Sequence, residues 1–121
     1  MSYVVFVYGT LMAGEYNHHL LRHATKLGRS RTRRVYRMVH LGGFPGVVRA
    51  QPRQGIAIRG ELYSVDNETL GDLDRLEGVP WLYQRTRITL ACGTRAYIYL
   101  LQDPAGCPNI PSGDWREVSN V

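Results

Sequence analysis

Apolar and polar positions along the chain fall into two patterns, unbroken apolar runs and spaced apolar stripes. Residues 3–8, YVVFVY, are an unbroken run of β-branched and aromatic side chains, which predicts a strand buried on both faces. The run stops at Gly9, and the loop TLMAG leads toward a short helical stretch near 16–23. Residues 35–41 predict a second strand, ended by GGFPG, a tight turn by composition. Residues 56–65 predict a third. Asp66 then stands where an N-cap belongs, ahead of a helix predicted over 67–76. Residues 84–91 and 95–102 predict a hairpin folded about CGT. The tail DPAGCPNIPSGDW is rich in turn-forming residues and is expected to wrap the surface.

Strands outnumber helices in this reading, and the helices are short. The fold class expected is α+β, with a small mixed sheet whose last pair is antiparallel and whose first strand runs otherwise. Periodicity alone does not say whether that sheet closes into a barrel. The 121 residues predict one domain, 1–121, with one modest core. The composition, 44% apolar and 21% charged, is that of a soluble globular chain. No stretch approaches the roughly 18 apolar residues of a membrane span. The apolar start has no basic segment before it and is too short for a signal peptide. A cytoplasmic protein with no membrane partner is the expectation.

Charge and the reactive side chains add little that is specific. The net charge of +5 comes mostly from arginine, densest in RSRTRRVYR, which opens with Arg29 and closes with Arg37. Arg29, Arg31 and Arg33 alternate, as on the outer face of a strand. Nucleic-acid binding is one reading of this run. No RNA-binding motif accompanies it, so the reading kept is a solvated edge strand guarded by charge. Cys92 and Cys107 form no CxxC pair and read as reduced thiols. His19 and His23 share a helical spacing, but no acidic or cysteine partner completes a metal set, so no metal or cofactor is expected.

Glu77 stands out. At about 100° per residue, the predicted helix carries Leu70, Leu73 and Leu76 as an apolar stripe. Glu77 falls between Leu70 and Leu73, while Glu68, Asp72 and Arg75 fall on the far side. A carboxylate on the buried stripe loses hydration. It also lies in the last turn, where the helix dipole disfavours negative charge. Both effects predict a raised pKa, which suits a group that takes and returns a proton near neutral pH. The competing reading is an ordinary acid that swings into water past Gly78 or pairs with one of fourteen arginines. A second signal is VYGTL, at 7–11, where a strand ends in glycine and a loop follows. Such a bend can offer several backbone N–H groups to an anion. Neither a P-loop nor a GxGxxG fingerprint is present.

Together, YGTL at 8–11, GGFPGVV at 42–48, GELYSVD at 60–66, LEGVPWLYQR at 76–85 and SGDW at 112–115 resemble the γ-glutamylcyclotransferase-like (AIG2-like) family. The closer likeness is to its short branch of γ-glutamylamine and aminoglycoside-biosynthesis cyclotransferases, and it spans nearly the whole chain. The glutathione-acting branch usually has longer chains and Gly-Ser-Asn where this sequence has Gly9, Thr10 and Leu11.

The resemblance implies a small mixed β-barrel flanked by short helices, with a cavity between the YGTL loop and the helix ending in Glu77 and Gly78. It implies Glu77 as the catalytic acid and base. It also implies Tyr8, Gly9, Thr10 and Leu11 as the loop that holds a γ-glutamyl group, with Tyr83 lining the cavity. The reaction implied releases 5-oxoproline and an amine from a small γ-glutamyl substrate, without metal or cofactor. Either the α-carboxylate or the developing oxyanion is the group the loop would bind. Tyr8 and Tyr83 read equally as substrate contacts and as core aromatics. Phe44 and Pro45 are expected at the cavity rim. Trp115 either covers the mouth or packs the tail onto the barrel, and the second is preferred. A rival reading keeps the fold as a non-catalytic binding module for a small carboxylate or a protein partner.

Overall fold

A computed structural model describes residues 1–119 of the chain. The N-terminal apolar run forms β1 (Ser2–Val7), and a single 3-10 turn (His18–Leu21) follows. Then come β2 (Thr25–Arg31), β3 (Tyr36–His40), β4 (Pro45–Arg49), β5 (Arg59–Asp66) and α1 (Asn67–Leu76). The chain ends with the hairpin β6 (Tyr83–Thr89) and β7 (Arg95–Leu101), then α2 (Trp115–Ser119). None of the described helices is long and apolar enough to cross a membrane.

Five strands form one mixed sheet in the order β2-β5-β1-β7-β6, and β3 and β4 pair separately. β1 lies at the centre, antiparallel to β5 and parallel to β7. Val5, Phe6 and Val7 are all buried, because a central strand covered on both faces has no solvent side to alternate toward. The sheet curls until its two edges touch. Thr32, just past β2, bridges Leu90, just past β6, and the Ala91 N–H donates to the Arg31 carbonyl at 2.9 Å. The expected barrel is therefore not closed: the curled sheet is barrel-like, but its edges meet at one isolated bridge and share no ladder.

Several expected boundaries shift for physical reasons. The helical stretch near 16–23 is only one 3-10 turn. Asn17, at its N-cap, makes no capping bond and instead donates its amide to Thr10 Oγ1 at 3.0 Å. GGFPG is not all turn: Pro45 already opens β4, which runs on to Arg49. Gly46 sits inside that strand because a β-carbon there would lie 2.6 Å from Leu101. The third predicted strand begins three residues late, at Arg59, since Ile56 makes only an isolated bridge to Tyr36. β2 is an edge strand with Arg29 and Arg31 exposed, as expected, but it stops before Arg33.

α1 has its predicted cap, with Asp66 Oδ1 accepting from Thr69 N–H at 2.8 Å. It packs on β5 and β1 through Leu70 and Leu73. Its end is a Schellman motif. Gly78 N–H donates to the Arg75 carbonyl at 3.2 Å and Val79 N–H to the Asp74 carbonyl at 3.0 Å. Gly78 adopts φ +63°, a conformation in which any β-carbon is strained. The reversal begins at the residue directly after Glu77, so Gly78 decides where that side chain is left. Gly78→Ala is expected to lower stability by about 1 kcal/mol, read from the midpoint of urea unfolding at unchanged m-value.

Candidate active site

The end of β1, the end of α1, the β3–β4 turn and the start of β6 surround one cavity of about 610 Å³. Tyr8, Gly9, Thr10, Leu11, Glu77 and Tyr83 all line it, as do Phe44 and Pro45. Residues far apart in sequence meet there because β1 is central and α1 crosses its end. Gly9 is required by a close approach: a β-carbon on it would lie 2.7 Å from Pro45 Cγ. The loop after it is braced from behind. Asn17 N–H donates to the Thr10 carbonyl at 2.8 Å, and His18 Nδ1 lies 2.9 Å from the Leu11 carbonyl. Among the described residues, the N–H groups of Gly9, Thr10 and Leu11 donate to no protein acceptor. The loop therefore presents uncommitted donors beside the cavity.

Glu77 is the C-cap of α1, just outside the regular helix, and it keeps the direction that the apolar stripe predicts. It is half-buried, reached from the cavity and walled in by protein. No arginine or other side chain among the described residues pairs with its carboxyl. Burial pushes its pKa up to about 7, since the ionised form loses hydration and gains no compensating bond. Arg75, two residues earlier, is exposed and pairs with Asp72 instead.

The tyrosines are more constrained than the sequence suggests. Tyr8 Oη donates to the Tyr99 carbonyl at 2.7 Å, and Tyr83 Oη donates to the Pro45 carbonyl at 2.7 Å. Each phenol has one proton, and both are spent inside the protein. Tyr8 Oη also accepts from the Val47 N–H, so the phenol oxygen left without a donor beside the cavity is that of Tyr83. Burial, and then the nearby Glu77 charge, raise the Tyr83 pKa above the ordinary phenol range. Tyr99 also lines the cavity, and its hydroxyl donates to Asp74 Oδ1 at 2.8 Å, with Arg85 pairing Asp74 at 3.2 Å. Sequence reasoning missed Tyr99, because its position depends on the β1–β7 pairing, and no motif marks that register.

A second missed residue is Glu61, only 3% exposed. It accepts from Ala13 N–H at 2.8 Å, Tyr63 Oη at 2.9 Å, Lys26 Nζ at 3.2 Å and Arg116 at 3.0 Å. Burial alone would raise its pKa, but the bonds from Ala13, Tyr63 and Lys26 outweigh it and hold the carboxyl below its usual range. Trp115 does not reach the cavity. It is buried, its Nε1 donates to Glu15 Oε1 at 3.1 Å, and its ring lies 5.3 Å from that of His40, so it packs the tail onto the sheet. His19 is exposed, and no group of metal-ligating side chains occurs among the described residues.

This fold has known counterparts. Residues 5–117 match the family described as gamma-glutamyl cyclotransferase, AIG2-like. The chain belongs to that family. A Vibrio cholerae protein provisionally named a γ-glutamylcyclotransferase is 43% identical over 116 residues, covering 95% of this chain and 96% of its own. The γ-glutamylaminecyclotransferase of Bos taurus is 39% identical over 94 residues, covering 72% of this chain and 55% of its own. The crystal structure of an AIG2-like protein from Mus musculus superposes with a TM-score of 0.78 at 29% identity, covering 91% of this chain and 86% of that one.

The Glu77 shift has a measurable consequence for folding. Its folded pKa is raised, so the neutral form is the one favoured in the native state. The wild type therefore loses stability as pH rises from about 4.5 toward about 7. Glu77→Gln removes that loss. It is expected to match the wild type near pH 4 and to exceed it by about 1–2 kcal/mol at pH 8, allowing for water in the cavity. Paired urea melts at the two pH values check this.

Proposed function

We propose that the protein is a γ-glutamyl cyclotransferase that closes a γ-glutamyl group on itself, releasing 5-oxoproline and a free amine, with Glu77 as base and then acid. The observation that carries this reading is one unpaired carboxyl, poised at about 7, in the same cavity as a loop whose N–H groups are uncommitted.

In this reading the substrate's α-amino group attacks its own γ-carbonyl. Near neutral pH that nitrogen is an ammonium and cannot attack. Glu77 as carboxylate takes its proton, and the neutral amine adds to the carbonyl carbon. The leaving nitrogen cannot depart as an amide anion, so it must be protonated as the C–N bond breaks. Two protons leave the attacking nitrogen in all, and two arrive on the departing one. A single carboxyl cycling between its forms carries both. The N–H groups of Gly9, Thr10 and Leu11 supply donors for the α-carboxylate or the oxyanion. Tyr83, with its proton already committed to Pro45, offers an oxygen acceptor that suits an ammonium, and Tyr8 shapes the wall beside it. The nucleophile is tethered, so the cavity's further task is to fold the γ-glutamyl chain into a ring-closing shape.

The outer part of the cavity bears on the leaving amine. Tyr16, Phe44, Leu76 and Leu82 form its exposed apolar rim. No lysine, arginine or histidine lines it among the described residues. A leaving group carrying a carboxylate near the scissile bond would be desolvated there with no counter-charge. Alkyl and aryl γ-glutamyl amides fit better.

Two measurements test this. Glu77→Gln is expected to lower kcat/KM for 5-oxoproline release by about 10²–10⁴-fold. The wild-type kcat/KM should rise through an apparent pKa near 7 as Glu77 ionises. Equal activity in the variant would remove Glu77 from the chemistry. Separately, γ-glutamyl-n-butylamide should be turned over at least about tenfold more efficiently than γ-glutamyl-alanine. If every γ-glutamyl compound is inert, the binding-module reading replaces the enzyme.

A further inference from the structure

The arginine run does not simply coat an open face. The end of β2 lies at the seam where the two sheet edges meet, and a second cavity of about 420 Å³ opens there. Arg29 and Arg31 reach it from β2, Arg59 from β5 and Arg116 from the tail. The carboxyls in its wall are Glu61 and Asp114. Glu61 is already matched by Lys26 and Arg116, and Asp114 Oδ1 accepts the Arg116 backbone N–H at 3.1 Å. Arg29, Arg31 and Arg59 have no ion-pair partner among the described residues. Arg31 and Arg59 stand directly opposite each other across the β2–β5 ladder. Like charges in that position are destabilising unless something of opposite charge lies between them.

The same wall touches the loop of the first cavity. Leu11 lines the first cavity and Met12, the next residue, lines the second. Ala13 is gripped at both backbone atoms: its N–H donates to Glu61 at 2.8 Å and its carbonyl accepts from Arg116 at 2.7 Å. Any ligand that draws on Arg116 therefore alters what holds the loop.

We propose that the seam cavity is a second binding site, for a small anion bearing a phosphoryl group, and that its occupation is transmitted through Arg116 and Glu61 to the loop at 9–13. Charge selects the class. Three uncommitted guanidiniums exceed what one carboxylate can neutralise, whereas a phosphoryl group brings about two charges and oxygens enough for several forks. Size argues for a small ligand, since the site is a bounded cavity at a seam and the exposed Arg33 and Arg34 do not line it.

Cys92 provides a reporter. Its exposed thiol lines the cavity, 3.6 Å from Ser30 Oγ. Inorganic pyrophosphate added to the intact protein at about 0.15 M ionic strength is expected to bind saturably. It should slow alkylation of Cys92 by neutral iodoacetamide at least about threefold and leave Cys107 unaffected. Amide hydrogen exchange at 9–13 should change on binding. The double variant Arg31→Ser, Arg59→Ser should weaken binding at least about tenfold, while Arg87→Ser, whose guanidinium lies over Tyr97 and does not line the seam cavity, should not. Absence of saturable binding below about 5 mM, or equal binding by the double variant, overturns the site. Binding that leaves exchange at 9–13 unchanged overturns the coupling. Tighter, steeply salt-dependent binding of single-stranded RNA than of pyrophosphate overturns the small-anion assignment in favour of a polynucleotide surface.

Discussion

Removing a carboxylate from water costs several kcal/mol unless donors replace the lost hydration, and the two inward-facing glutamates of this protein meet that cost in opposite ways. Glu61 is surrounded by four donors from four separate segments and is held ionised. It thereby fastens the loop after β1, the edge strand β2 and the C-terminal tail to one point on β5. Glu77 has no such donor and is pushed toward neutrality. One carboxyl is a fixed, fully bonded anchor and the other is left unpaired at a cavity wall. Environments that drive two similar groups apart in pKa are what a fold needs to assign them different roles.

The two sites depend on each other through backbone. β1 can be wholly apolar because β5 and β7 flank it in the sheet and α1 packs across it. That burial fixes where Tyr8 and Gly9 emerge. Asn17 and His18 then use local bonds to shape the loop, at the expense of a regular helix. Ala13, held by Glu61 and Arg116, sets where the loop ends. The N–H groups of Gly9, Thr10 and Leu11 stay free because the bracing of those residues uses their carbonyls and the Thr10 side chain, and the loop's own donors are engaged only from Met12 onward.

Much of this was legible in the sequence where the determinant is local. The YVVFV run, the Asp66 cap and the hairpin about CGT each carry their own physics. Glu77 was legible too, because a helical wheel needs only one element and its spacing. What the sequence left out depends on pairing between distant segments. β4 was hidden inside GGFPG, since its glycine is there for contact with Leu101 and not for a turn. Tyr99 and Glu61 were hidden because their roles arise from the neighbours that β1 acquires on either side. The seam between β2 and β6 could not be foreseen from periodicity, since it rests on one bridge between residues outside both strands.

The tyrosines bear on why one titratable group would suffice for the proposed reaction. Tyr8, Tyr83 and Tyr99 line it, and burial is the leading cause that raises each one's pKa above the phenol range. Near neutral pH they neither release nor accept a proton. Their hydroxyl hydrogens are fixed on Tyr99 O, Pro45 O and Asp74 Oδ1, so they do not compete to protonate a departing nitrogen either. Glu77 is the single carboxyl among the described lining residues. In the proposed reaction, proton transfer in the cavity would therefore run through Glu77 alone. That restriction follows from the backbone carbonyls of Pro45 and Tyr99, which capture the Tyr83 and Tyr8 protons before any ligand arrives.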